Sequence, residues 1–258
     1  MNPQAQINFN VIQEAFDMMK TRWQPFVLAT LLAYVVFFIG YFVVAIVLGG
    51  VMAAVGNMFG DAAALASIPL MFVMGFVIAA LGAGVFGGLV KMAFKAWRGE
   101  EVSAGDVTSG FQQFGPLAVG VIIVYLATFI GYILCILPGL LIAGLSMFTI
   151  PLIVDKKMAP MDAFKTSIEM LKPQMWMALG FAIVLSIVAQ IGGIACGVGA
   201  LFTIPLALCA MVRQYMIFSG EATAPAAASL TPYPRDASTP VAETPAEPAP
   251  PSDPPAQS

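Results

Sequence analysis

Chemistry has few places to start in this chain. Histidine, the usual general base and metal ligand, is absent from its 258 residues. Cys135, Cys196 and Cys209 all fall in apolar stretches without pairing or metal-ligand spacing, so they read as small hydrophobes used in packing. Asp155, Asp162 and Glu169 are the candidate acids for action on lipids, but their helical spacing is better explained by a solvated face. Gln190 is the strongly polar side chain deep in an apolar stretch, accompanied by Ser186, Thr128, Ser146, Thr149 and the tyrosines Tyr34, Tyr41, Tyr125 and Tyr132. Interhelical hydrogen bonds of modest energy account for all of these. No P-loop, dinucleotide fingerprint or zinc spacing is present. The expectation is a chain with no catalytic residue, no metal, no cofactor and no nucleic-acid partner.

Glycine is the more informative residue type. Gly84 and Gly88 form a small-xxx-small pair in a segment that also carries Gly75, Ala79, Ala80, Ala83 and Gly87, and Gly193 and Gly197 form a second pair. Small residues let helix backbones approach closely where lipid gives no hydrophobic drive to associate. These positions are therefore expected to pack helices or contact another copy of the chain. Glycine mobility used for gating is the sharper alternative.

The elements that carry these residues follow from composition. With 60% hydrophobic and 10% charged residues, and a mean hydropathy of +0.91, the solvent for most of the protein is lipid. Crossing a hydrocarbon core of about 30 Å takes about 20 apolar residues in a helix. Six stretches qualify: about Phe26–Val55, Ile68–Val90, Pro116–Leu137, a short fourth from Leu140 to Val154 after a Pro138-Gly139 break, Trp176–Ala195 and Ala200–Phe218. Apart from Arg213, which ends the sixth, these spans hold no Asp, Glu, Lys or Arg, which argues against a pump, a proton-coupled carrier or an intramembrane protease. All eleven Lys and Arg collect on one side of this topology, while the connections near 56–67, 138–139 and 192–199 contain none. Both termini are therefore expected in the cytoplasm. The start, Met1-Asn2-Pro3-Gln4 and polar up to Trp23, lacks a signal-peptide pattern, so the first span is expected to serve as its own insertion signal.

Three segments on the basic side are amphipathic. Phe9, Ile12, Phe16, Met19 and Trp23 recur at steps of three and four; Met161, Phe164, Ile168 and Leu171 repeat the pattern, with Pro160 suited to a first helical turn. A shorter segment starts at Ser103, where Asp106 completes a capping-box pattern, and carries Val107, Phe111 and Phe114. Glu14-Ala15-Phe16 precedes Pro25 as Asp162-Ala163-Phe164 precedes Pro173, nine residues from Phe to Pro in both, whereas Phe111 precedes Pro116 by five. Two readings stand: three copies of an amphipathic segment followed by a hairpin of two spans, or ordinary interfacial segments with proline at helix starts. From Glu221 onward ten prolines and no apolar periodicity point to a disordered tail. The expected architecture is all-α, a polytopic membrane helix bundle of six transmembrane helices in three hairpins. Residues 1–24 form a cytoplasmic amphipathic segment, 25–219 the membrane domain and 220–258 a cytoplasmic tail.

Part of the chain resembles a known family. Leu137-Pro138-Gly139, then Ile150-Pro151-Leu152-Ile153-Val154-Asp155, then Met161-Asp162-Ala163-Phe164-Lys165-Thr166-Ser167 resemble the motif pattern of YciC-like bacterial membrane proteins and of the membrane domain of membrane-anchored glycerophosphodiester phosphodiesterases. Lys95 to Phe111 is similar to their preceding loop, and Gly197-Val198-Gly199 to Tyr215 to their closing span; coverage runs from about 90 to 218. Lys156-Lys157 departs from the acid the family tends to place after the aspartate. The resemblance implies a multi-span protein of the bacterial inner membrane; the phosphodiesterase catalytic barrel has no counterpart here, so no active-site residue carries over. The leading functional expectation is a non-enzymatic scaffold or envelope-assembly factor, contacting membrane lipids, a cytosolic protein through the proline-rich tail, or a second copy of itself. The alternative is a facilitator or channel for a small or amphiphilic solute.

Overall fold

The computed structural model describes residues 6–59, 63–194 and 199–221. It is all-α. Nine α-helices run in order as α1 (Asn10–Thr21), α2 (Trp23–Phe59), α3 (Ala63–Trp97), α4 (Phe114–Leu134), α5 (Ile136–Leu145), α6 (Thr149–Lys156), α7 (Pro160–Leu171), α8 (Met175–Ile194) and α9 (Ala200–Ser219) among the described residues. A 3-10 helix, Ala104–Gln113, precedes α4, and a 3-10 turn, Lys172–Gln174, joins α7 to α8. Six helical stretches are long and apolar enough to cross a membrane: Trp23–Asn57, Met74–Trp97, Ala104–Leu134, Ile136–Lys156, Pro160–Gly193 and Ala200–Ser219. The protein is a multi-pass membrane helix bundle.

Proline marks several helix starts. Pro25, Pro116, Pro138 and Pro151 each stand third in α2, α4, α5 and α6. The first four N–H groups of a helix have no partner within it, so a residue without an N–H costs nothing there. Pro160 opens α7 in the same way. This corrects the break expected at Pro138-Gly139, which lie inside the first turn of α5. The reversal falls on Cys135, whose backbone is extended (φ −173°, ψ 157°). It is tight because Gly131 and Gly139 face each other: a Cβ on Gly131 would stand 2.7 Å from the Gly139 Cα. The third span accordingly ends at Leu134, not Leu137.

The fourth span is not one helix. A turn at Ser146–Phe148 divides it into α5 and α6, and Ser167 of α7 holds that turn, its hydroxyl donating to the Leu145 carbonyl at 2.7 Å and accepting from the Phe148 amide at 3.2 Å. The loop expected over 56–67 is also corrected, because α2 continues to Phe59 and α3 begins at Ala63. The helices further extend past the hydrocarbon estimate at the basic end. Lys91 and Lys95 ride on α3, Asp155 and Lys156 on α6, and Arg213 on α9, so the expectation of charge-free helices holds only for their apolar middles.

Burial separates the six spans into two sets. Of the most apolar stretch of each, 6%, 22% and 22% is buried for the first, third and fifth spans, against 53%, 56% and 61% for the second, fourth and sixth. The second member of each hairpin therefore builds the core, and the first faces lipid.

The amphipathic segments dock in a cycle. The Ala104–Gln113 helix lies on α2 and α3 of the hairpin before it, α7 lies on α4 and α6 of the hairpin before it, and α1 closes the ring by lying on α9. Their buried faces differ from the expected ones. In α1 the buried residues are Val11, Ala15, Met18 and Met19, whereas Phe9, Phe16 and Trp23 are exposed. In α7 they are Ala163, Ser167 and Leu171, whereas Met161 is exposed. Each helix has a flank of small or flexible side chains against protein and an adjacent apolar flank outside it, which suits a helix lying in the membrane interface. The Ser103–Asp106 capping box is present, but the segment it starts is 3-10, with Val107 and Gly110 buried three residues apart.

Candidate functional site

The densest polar chemistry lies where the three core spans end at the basic side. Phe94 on α3, Phe148 before α6 and Tyr215 on α9 are buried and meet edge to face, with ring centroids 5.5 Å apart for Phe94–Tyr215 and 5.7 Å for Phe148–Tyr215. Phe218 packs on Phe148 at 5.6 Å. Above this aromatic cluster the Arg98 guanidinium bridges Asp155 at 2.5 Å and Glu221 at 2.9 Å, and the Tyr215 hydroxyl donates to the second Asp155 oxygen at 3.0 Å. Arg98 also stands over the Phe94 ring, 5.1 Å from its centroid.

Asp155 is the buried member of this network, its side chain 7% exposed, and both of its oxygens are engaged. Burial of the Arg98 guanidinium works against its charge, but the hydrogen bonds and charges of Asp155 and Glu221 outweigh that and raise its pKa above the ordinary arginine value. The cation is permanent. What this arrangement does chemically is tie the ends of α3, α6 and α9 to one another and to Glu221, the second residue after α9.

Two further ion pairs fasten the docked segments. Lys95 of α3 meets Asp106 at 2.7 Å, and Arg213 of α9 meets Glu14 of α1 at 2.8 Å while lying 5.0 Å from the centre of the Trp97 ring. Each joins a core span to the amphipathic segment lying on it.

Gln214 is the buried polar residue that sequence reasoning missed. Its side chain is fully buried on α9, accepting from the Asn8 amide at 3.1 Å and donating to the Gln6 carbonyl at 3.1 Å. Gln174 accepts from the Ile7 amide at 3.0 Å. Residues 6–8 are thus held as a strand would be, by reciprocal bonds that satisfy backbone groups away from water. The signal was a glutamine beside an arginine in an otherwise apolar helix end.

Gln190 behaves differently from expectation. It is exposed on α8 and has no side-chain hydrogen bond among the described residues, so it does not bridge helices. Ser186 donates to Ala182 of its own helix at 2.8 Å. Thr128 and Thr149 bury their hydroxyls without a partner among the described residues. Gln190 instead lines an apolar cleft of about 770 Å³ between α5, α8 and α9, with Phe86 of α3 at its back.

The glycines divide. A Cβ on Gly84 would stand 2.9 Å from the Phe111 ring, and one on Gly88 would run into the Val107 carbonyl, so this pair seats the 3-10 helix Ala104–Gln113 rather than another span. Gly110 answers from the other side against the backbones of Gly84 and Gly88. Among the described residues Gly193 has nothing within 4 Å; the close contact falls one residue earlier, where Gly192 meets Thr203 and Ala200. Gly197 and Cys196 lie outside the described residues, as does the tail from residue 222. Among the described residues no group of three or more Cys, Asp or Glu is placed to hold a metal ion.

No family model matches the chain, and no solved structure matches it. An uncharacterised protein of Mycobacterium bovis is 35% identical over 120 residues, 43% of this chain and 35% of that protein. One from Mycobacterium tuberculosis is 34% identical over 125 residues, 45% of this chain and 37% of that protein. The chain spans little more than a third of the length of these mycobacterial relatives that it is similar to.

Proposed function

We propose that the protein is a non-enzymatic scaffold or envelope-assembly factor of a bacterial inner membrane, with both termini in the cytoplasm and a cytosolic partner engaged through the proline-rich tail. The observation that carries this reading is the use of charge on the basic face. Arg98 is spent on Asp155 and Glu221, Lys95 on Asp106 and Arg213 on Glu14, so the ionic groups there hold helices together and make a fixed platform from which the tail departs. The collection of basic residues on this face supports its cytoplasmic placement. Mycobacterial relatives support a bacterial source. We include a kinship of residues 90–218 with YciC-like proteins and the phosphodiesterase membrane domain, which fits a bundle without a catalytic barrel.

The test is crosslinking in cells of the full chain and of a chain ending at residue 221, followed by identification of the captured proteins. A cytosolic protein captured by the first and lost from the second supports the proposal; identical captures remove the tail from it. Orientation is read separately with a membrane-impermeant maleimide in a Cys196→Ser background. Cys135 is exposed at the α4–α5 reversal and Cys209 is buried, so labelling of intact spheroplasts is expected at Cys135. Labelling only after permeabilisation reverses the topology.

A further inference from the structure

We propose that the cleft lined by Gln190 binds one acyl chain of a diacyl glycerophospholipid, drawn from the leaflet opposite the basic face. This goes beyond the scaffold reading and rests on four features of the cleft.

Its size comes first. At about 770 Å³ it falls among ligand sites rather than packing defects. Its depth is the second. Along α8 it runs from Ala182 to Ile191, about 14 Å at 1.5 Å per residue, which is half of a hydrocarbon core of about 30 Å. The same half of the bundle is marked on the neighbouring elements by Leu140 near the start of α5 and Ile204 near the start of α9. The cleft is one leaflet deep and lies away from the charged ends.

The third feature is its lining. Apart from Ser186 and Gln190 every lining side chain among the described residues is apolar, and the Ser186 hydroxyl is already bonded within its own helix. Ile187 and Ile191 beside it are exposed, so the cleft opens sideways where the surrounding medium is lipid tail. The fourth is the Gln190 amide. It stands four residues from the end of α8, with no partner among the described residues. An amide left unbonded in hydrocarbon costs free energy, and at that depth the ester carbonyls of a seated glycerophospholipid are the acceptors within reach. Among the described residues no charged side chain lines the cleft, so recognition rests on tail and ester and is indifferent to headgroup charge.

The cleft is closed towards the basic face. Met147 and Met211 line it, and Phe148 and Tyr215, the next residue and the next helical turn, are fully buried in the aromatic cluster. A chain can enter and stay; no path continues through. The geometry assigns holding rather than conduction.

The experiment uses the full-length protein in nanodiscs containing phosphatidylethanolamine or phosphatidylglycerol with a photoreactive diazirine in one acyl chain, and maps labelled residues by peptide mass spectrometry. Labelling of 182–191 and 204–211 is expected to exceed that of the lipid-facing stretch 43–47 of α2 at least fivefold, equally with the two headgroups. Ala207→Trp fills the cleft and is expected to abolish that excess while leaving 43–47 labelled. Because a tryptophan there can disturb folding, Gln190→Leu serves as the second variant. Its side chain is exposed, and it is expected to reduce the excess several-fold with an unchanged melting curve. Labelling no higher in the cleft than on α2, or an excess untouched by both variants, overturns the proposal. So does an excess seen with a photoreactive free fatty acid but not with the diacyl lipids, or a cleft shielded by crosslinks to a second copy of the chain.

Discussion

The Tyr215 hydroxyl, near the end of the last helix, lies 3.0 Å from the Asp155 carboxylate at the end of α6. Arg98, beyond the end of α3, holds the other oxygen of the same carboxylate. One buried acid therefore connects all three core spans, and what happens to it measures how strongly the hairpins depend on one another.

Removing one partner of that acid is expected to cost more than removing a surface ion pair. Tyr215→Phe keeps the ring against Phe94 and Phe148 and deletes one bond to Asp155, for an expected loss of about 1–2 kcal/mol. Arg98→Ala leaves the buried carboxylate without its counter-charge, and a loss of about 2–4 kcal/mol is expected, below the full cost for a dry pair because Arg98 is partly exposed. Denaturant titration in mild detergent reads both. Equal losses from the two variants would show that Asp155 does not depend on its counter-charge.

The ion pair between Arg213 and Glu14 is expected to be asymmetric. Glu14 is more than a third exposed, and Glu14→Gln should change stability by less than about 1 kcal/mol. Arg213→Ala also removes a buried stem and the contact with Trp97, so its loss should be at least twice as large. Melting midpoints of the two variants decide the order.

Close backbone approach at Gly88 makes a second contrast. Gly88→Ala must push the Ala104–Gln113 helix away from α3, and a loss of about 1–3 kcal/mol is expected. Gly180→Ala on α8 meets nothing within 4 Å among the described residues, and should be neutral or gain up to about 1 kcal/mol from helix propensity. A neutral Gly88→Ala would mean that the 3-10 helix is not seated on α3 in the membrane.

Gln214 carries a local prediction. Gln214→Leu removes both bonds to the backbone at Gln6 and Asn8, and is expected to raise the hydrogen-exchange rate of the Asn8 amide at least tenfold, corresponding to about 1.4 kcal/mol. Amides in the middle of α9 should be unaffected. Exchange rates unchanged at Asn8 would place the hold on residues 6–8 elsewhere, in Gln174 or in the Phe9–Phe181 ring contact.

Much of the scaffold was legible because it depends on local physics. Hydropathy over about 20 residues marks a span whatever its neighbours are, and the Ser103–Asp106 capping box is a matter of three-residue spacing. The face of α1 was not legible, because two apolar flanks give one broad stripe. Phe9, Phe16 and Trp23 look like core in a sequence, yet Ala15 and Val11 are buried while the aromatics stay exposed. Gln190 was singled out for being polar in an apolar run, whereas Gln214 escaped notice at a helix end next to Arg213.

What the sequence by itself determined is that the chain is helical, crosses a lipid layer six times and keeps its basic residues on one side, since each follows from the cost of unbonded backbone and of charge in hydrocarbon. Only the tertiary structure decided which spans form the core, that the amphipathic segments close a ring with α1 on α9, and that Arg98, Asp155 and Tyr215 converge. The physical reason is the solvent. In water an apolar side chain points to the interior, but in lipid it is equally at home outside, so the partners of each helix are chosen by close contact at residues such as Gly88, Ala15 and Ala163, which hydropathy does not weigh.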